Sequence, residues 1–445
     1  MSTDITKYLP TVSQEEISED LWMPPDEAAD EAFQFQADEL VKHADETRTL
    51  MMKSVDLQSL CADIQGSIPE GGLTVSEAKV AEVCAKEILN GTEVTIDCEL
   101  AEGKSLDVSM ENSSYLLEVL KRALESIWKA IKAAILQLRK MAIKIYYAVF
   151  SISARLQRRA QALLKQAAHL EGAEATGTID ISGDVHLLQI AGVFSPDIGT
   201  GLTGLNLVNR HLCFDHFLAA KATAGHIAAF VNEIDPSNDV VMERTSSGVK
   251  SIRPIHVTGA DIDTASEVKD TVATRTPEFM GGKAIRVVKM DERAYARNYS
   301  KMSEAQFHVQ QVLTKNDLGL ITVTPFKSAG ETVIEPLPVM GVIQALTQVI
   351  VGCDIIQNFK QSFSEREVLT DKLLAAGESY REKASRTTGL SDSNAWLAQA
   401  LLQLPNIAVN LLEKPITPFV SHCANVFSAS LRVCEKSLKA YPERF

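Results

Sequence analysis

Residues 123–167, ALESIWKAIKAAILQLRKMAIKIYYAVFSISARLQRRAQALLKQA, decide how this chain is read. They lie within 68 residues, 104–171, that contain neither glycine nor proline, and from about Ser114 to Ala168 the residues are mostly strong helix formers. With nothing to break it, the run predicts one long helix, or two in line. At 100° per residue, Lys121, Arg122, Glu125, Lys129, Lys132, Arg139, Lys140, Lys144, Arg155, Arg158, Arg159 and Lys165 fall within an arc of about 200°. Ile127, Trp128, Ile131, Ile135, Leu138, Ile145, Tyr146, Val149 and Ile152 make the other side apolar, with Tyr147 and Phe150 nearby. Three readings fit such a helix. It packs in a core or coiled coil with its basic face wet or paired to acidic residues; it lies on an anionic membrane with Trp128 and Tyr146 at the interface; or it meets nucleic-acid phosphates in a salt-sensitive, sequence-blind contact.

Outward from this helix, charge is very uneven. Residues 1–120 carry 26 acidic and 7 basic side chains, whereas 121–165 carry 11 basic side chains and only Glu125. The whole chain has a net charge of −14, which argues against nucleic-acid binding through overall charge, so any such contact is local. The first 50 residues hold 13 of the acids, in stretches such as EEISED and PDEAADEA. Helical spacing begins near Ala28, and Thr74 with Glu77 forms a capping box for a helix ending at Leu89, before Asn90-Gly91. EVTIDCEL, 93–100, alternates as a short strand or leads into the next helix.

Beyond Gly172 the texture changes. TIDISGDVHLLQI, 178–190, reads as strand, turn and strand; KAIRVVKM (283–290) and LGLITVT (318–324) read as further strands. Arg210 to Ile234 and Ser303 to Thr314 have helical spacing. After Pro336 and Pro338, helical patterns run from Val339 to Ala384, Asn394 to Leu404, Ile407 to Leu412 and Thr417 to Ala440. The uncharged stretch Pro336 to Cys353 is read as a buried core helix rather than a membrane span, because Gln344, Thr347 and Gln348 interrupt it.

With 445 residues, 45% hydrophobic and 23% charged, the chain is a folded protein of about two to four packing units. Seven dispersed cysteines without a CxxC pair give neither a disulfide framework nor a zinc ribbon, and the polar N-terminus lacks the form of a secretory signal. Gly199, Gly201 and Gly204 spell the dinucleotide pattern GxGxxG, but Ser195-Pro196-Asp197 precedes it and no ribose-binding acid follows at the required distance. A flexible glycine-rich loop is the better reading. In RHLCFDHF, a helix brings His211 and Asp215 together and turns Cys213 away, so His211, Cys213, Asp215 and His216 read as core and surface residues rather than metal ligands. No catalytic, cofactor or metal residue is assigned, and the chain reads as a non-enzyme.

The order of parts carries the remaining signal. An acidic helical start, the basic helix 123–167, a break at EGAEATG (171–177), a mixed region and a closing ANVFSASLRVCEKSLKAY (424–441) together resemble the internal head proteins of giant tailed bacteriophages. That resemblance implies a virion structural protein, made in the host cytoplasm and packed inside the capsid head with other head proteins and the genome. It also implies a propeptide removed by the prohead protease after a Glu that has a small residue two positions before it. Eight Ala-x-Glu triplets occur, but Gly172-Ala173-Glu174 lies directly after the long helix and is the expected cleavage site. Removing residues 1–174 takes away a net charge of −11 and leaves −3, which lowers repulsion from packaged DNA.

The expected fold is mainly α with a smaller α+β region, a long amphipathic helix and a C-terminal helical bundle. Its parts are an acidic helical region 1–111, the basic helix 112–171, a mixed region 172–335 and a helical region 336–445. The basic helix and its acidic leader form an address label set apart from the portion that persists. Non-specific contact with packaged DNA is one expected partner interaction, and an anionic bilayer is the alternative.

Overall fold

The computed structural model describes residues 75–90, 145–170, 174–234, 257–265, 271–291, 317–325, 332–385, 404–413 and 415–442, with single positions between them. Of these, 69% are helical and 12% lie in strands, which makes the protein mainly α with a smaller α+β part. In chain order the elements begin with α1 (Val75–Leu89), α2 (145–169), β1 (Ile179–Asp180), a helical turn α3 (Val185–Leu188), β2 (Gln189–Ile190) and β3 (Val193–Phe194). Then come α4 (Ile198–Arg210), a π-helical segment (His211–His216), α5 (Phe217–Glu233), β4 (Ile262–Thr264), β5 (Thr271–Arg275), β6 (Lys283–Met290), β7 (Asp317–Thr322) and β8 (Val333–Ile334). α6 (Val339–Ser385), α7 (Leu404–Glu413) and α8 (Ile416–Lys439) close the chain.

The 47-residue α6 is the axis of the molecule. It begins directly after Pro338, whose carbonyl accepts from Val342 N at 3.0 Å. Val342, Leu346, Val349, Cys353, Ile356 and Phe359 recur at helical spacing and are fully buried. They pack on α4, α5, α7 and α8. Val339–Lys360 is long and apolar enough to cross a membrane, yet it serves as core: its buried side chains belong to the hydrophobic cluster shared with the other helices. α8 is buried on every side from Ile416 to Leu431, as expected of a helix with apolar or small residues all round.

α4 corrects the expectation of a loop at GTGLTG. Residues 198–210 form a helix whose N-cap Asp197 accepts from Thr200 N at 3.1 Å. Gly199 and Gly201 there serve close approach rather than flexibility. A Cβ on Gly199 would lie 2.5 Å from Gln344 Cγ, and one on Gly201 2.6 Å from Met280 Cε. Gly352 on α6 plays the same part from the other side, and a polar seam runs beside it. Asn206 Nδ2 donates to Gln348 O at 2.8 Å, and Asn209 Nδ2 donates to Gly352 O at 3.3 Å.

The α+β part is small. β4, β5, β6 and β7 form an antiparallel meander in that order, with Val287 opposite Thr274 on one side and Leu318 on the other. The expected strands at 283–290 and 318–324 are thus present. TIDISGDVHLLQI departs from strand, turn and strand, because a helical turn occupies Val185–Leu188 between β1 and β2. β2 and β3 form a hairpin whose two-residue turn, Ala191-Gly192, has φ of 51° and 78°, the left-handed pair such a turn needs. β1 pairs with β8, placing Ile179 opposite Ile334. The meander is fixed to α8 through the 279–282 turn: Phe279 meets Phe419 edge to face at 5.5 Å, and His422 Nε2 donates to Met280 O at 2.7 Å. Gly281, with φ of 81°, leaves room for the His422 ring.

α1 starts at Val75, directly after the expected cap Thr74, and ends at Leu89 ahead of Asn90-Gly91, as the sequence reading expected. The expected elements at 93–100, 303–314 and most of 394–404, and the basic helix ahead of residue 145 apart from positions 133 and 143, lie outside the described residues.

Candidate functional site

The candidate site is the end of the long basic helix and the stretch that follows it. Helix α2 has two faces, as the sequence requires. Ile145, Tyr146, Val149, Phe150, Leu156 and Leu163 are buried in the same hydrophobic cluster as α6 and α8. The Tyr146 ring lies 5.8 Å from Phe359 and 5.0 Å from the Arg366 guanidinium. Gln357 Nε2 on α6 donates to Phe150 O at 2.6 Å and to Ser153 Oγ at 2.5 Å, and Gln157 donates to Asp354 at 2.5 Å.

This packing corrects the picture of the helix as a label standing apart from the helical bundle. Over residues 145–169 the apolar face is part of the core that the bundle shares. The sequence showed that this face needed a cover but held no sign of which segment supplies it.

The basic residues divide accordingly. Arg155, Arg158 and Lys165 are exposed on the outer side of α2, with Tyr147 half exposed nearer its start. Arg158 Nε also donates to Ala154 O at 3.3 Å. Arg159 instead points to α8 and forms an ion pair with Glu435. Burial acts to raise the Glu435 carboxyl, but hydrogen bonding and charge from Arg159, joined by Lys439 at 3.2 Å, outweigh it and hold the group below the usual carboxylate range. No local pattern could have shown this pair, whose partners are 276 positions apart. Lys121, Arg122, Lys129, Lys132, Arg139, Lys140 and Lys144 lie outside the described residues.

Of the expected cleavage triplet, Gly172 and Ala173 also lie outside the described residues, and Glu174 is exposed. Thr176, Gly177 and Thr178 are exposed and outside any helix or strand. Thr176 is tied to the end of α8, its amide donating to Ala440 O at 3.1 Å. Proteolysis favours accessible backbone outside regular structure, and Glu174 and 176–178 are exposed and lie outside helix and strand.

Of the other sequence candidates, Cys213 and His216 lie in the core, His211 is partly buried and Asp215 is exposed. In the π-helical segment, His211 Nδ1 is 3.3 Å from Asp215 Oδ2, Cys213 Sγ donates to Asn209 Oδ1 at 3.4 Å, and His216 Nε2 donates to Leu411 O at 3.1 Å. Their polar atoms face different partners. Burial pushes the His216 and His422 imidazoles down to about 4 and raises the thiols of Cys213, Cys353, Cys423 and Cys434, leaving these groups uncharged at neutral pH. Among the described residues no cluster of three His, Cys, Asp or Glu side chains is placed to hold a metal ion.

A family model for phiKZ-like phage internal head proteins matches residues 25–436. The chain belongs to that family. The match spans the acidic start, the basic helix, the mixed region and nearly all of the closing helix, the same succession of parts that carried the resemblance. This internal head protein is therefore a virion component of the capsid interior, in a family of structural proteins. No curated protein and no solved structure matches it.

Proposed function

We propose that this internal head protein is a structural component packed with the phage genome and matured by the prohead protease, which hydrolyses the peptide bond between Glu174 and Ala175. The observation that carries the processing step is the exposed position of Glu174, outside helix and strand between the end of α2 and the start of β1. Members of other head-protein classes are its partners in the particle. Arg155, Arg158 and Lys165 add non-specific contact with DNA phosphates through the outer side of α2, a contact that weakens with salt. The bilayer-binding alternative competes with the core for the apolar face of residues 145–169. N-terminal sequencing of the protein from purified particles tests the processing step. An N-terminus at Ala175 is expected, and an intact chain in mature particles refutes it.

A further inference from the structure

We infer that α2 is held by packing rather than by its covalent link to the rest of the chain, so that a cut within 174–178 yields one folded particle made of two polypeptides. The inference takes its biological setting from the proposed cut after Glu174, while the docking itself is a property of the uncut protein.

The contacts that seat α2 are spread along it and lie away from the cut. Tyr146 is covered by Phe359 and Arg366, the Phe150 carbonyl and Ser153 hydroxyl are held by Gln357, and Arg159 is paired with Glu435. These partners lie on α6 and α8, which remain in the C-terminal piece. The one described tie in the linker, Thr176 to Ala440, also stays with that piece. In a protein most of a helix's stability comes from packing of its apolar face, so the order of α2 comes from the surface it covers. Cutting the linker removes none of that surface. The occupant of this face of α6 and α8 is thus the α2 segment itself, and the proposed maturation cut would be a nick rather than a release. The fragment departs only when the core opens.

The test uses the full chain with the recognition sequence of a site-specific protease inserted between Glu174 and Ala175. After cutting, native gel filtration is expected to return one species that holds both pieces in equal amounts and separates only in denaturant. Tyr146→Ala removes the largest fully buried side chain of the contact that α2 supplies and is expected to weaken association of the cut pieces about a hundredfold. Separation of the pieces on the native column, with the C-terminal piece still helical by circular dichroism, overturns the inference. So does failure of the protease to cut the folded chain at this stretch. An N-terminus in purified particles other than Ala175 removes the maturation reading and leaves the docking result standing.

Discussion

Gly352→Ala is the sharpest test of how the helices are packed. Gly352 sits where α6 passes α4 and α8, and a Cβ there would lie 2.5 Å from Asn206 Oδ1 and 2.7 Å from Phe427 Cε2. Phe427 Cζ would lie closer still, and carbon contacts are comfortable at about 3.5–4.0 Å, so the ring has to retreat by more than about 1 Å. Phe427 is fully buried and has no open space to enter. Overpacking of this kind costs about 1–3 kcal/mol. Any shift of α6 also strains the Asn209 bond to Gly352 O, worth about 1 kcal/mol. Against this, Ala is a better helix former than Gly by about 1 kcal/mol. The net expectation is a loss of about 1–3 kcal/mol, read as a lower urea midpoint by far-ultraviolet circular dichroism. Gly204→Ala and Gly225→Ala are the controls. Both positions are helical with nothing within 4 Å of the added methyl, so each is expected to raise stability by about 0.5–1 kcal/mol. A Gly352→Ala midpoint at or above that of the parent, with the controls behaving as stated, refutes the close crossing.

Three further expectations follow from charge and burial. His216 and His422 are neutral in the folded protein with values near 4, against about 6.5 when unfolded, so their contribution to stability is complete above pH 6.5 and is lost as pH falls towards 4; a urea midpoint that stays flat between pH 6.5 and 5 contradicts their burial. Asp184 is buried against Arg432 at 2.6 Å and Lys436 at 3.5 Å, and Asp184→Asn is expected to cost about 3 kcal/mol by leaving Arg432 uncompensated, checked by the same denaturation. The triple change Arg155→Gln, Arg158→Gln, Lys165→Gln alters exposed positions, so stability should move by less than about 1 kcal/mol while weak DNA binding at low salt falls and its salt dependence flattens; unchanged DNA binding assigns the contact elsewhere.

Much of the helical architecture was legible because burial repeats at helical spacing along α6 and because apolar and small residues run all round α8. Val339 to Ala384 was read from that spacing and Val339–Ser385 is observed; Thr417 to Ala440 corresponds to Ile416–Lys439. β6 was legible from its β-branched alternation. α4 was misread because glycine is ambiguous in sequence: the same absence of a side chain that frees a loop lets Gly199 and Gly201 lie against Gln344 and Met280. At the candidate site, the two faces of α2 and the break after it were readable from residues 123–177. The use of the apolar face was not, since Phe359, Gln357 and Glu435 are some 200 or more positions away and nothing local couples them to Tyr146, Ser153 and Arg159.

The tie between Thr176 and Ala440 has a topological meaning. The two ends of the portion 176–440 meet at one spot, where β1 then pairs with β8 just ahead of α6. From 176 to 440 the polypeptide is closed like a ring with a clasp. A short peptide bridging these two ends would leave β1 to α8 in place, so the order in which this portion is synthesised can be permuted provided that α2 still covers its face of α6 and α8.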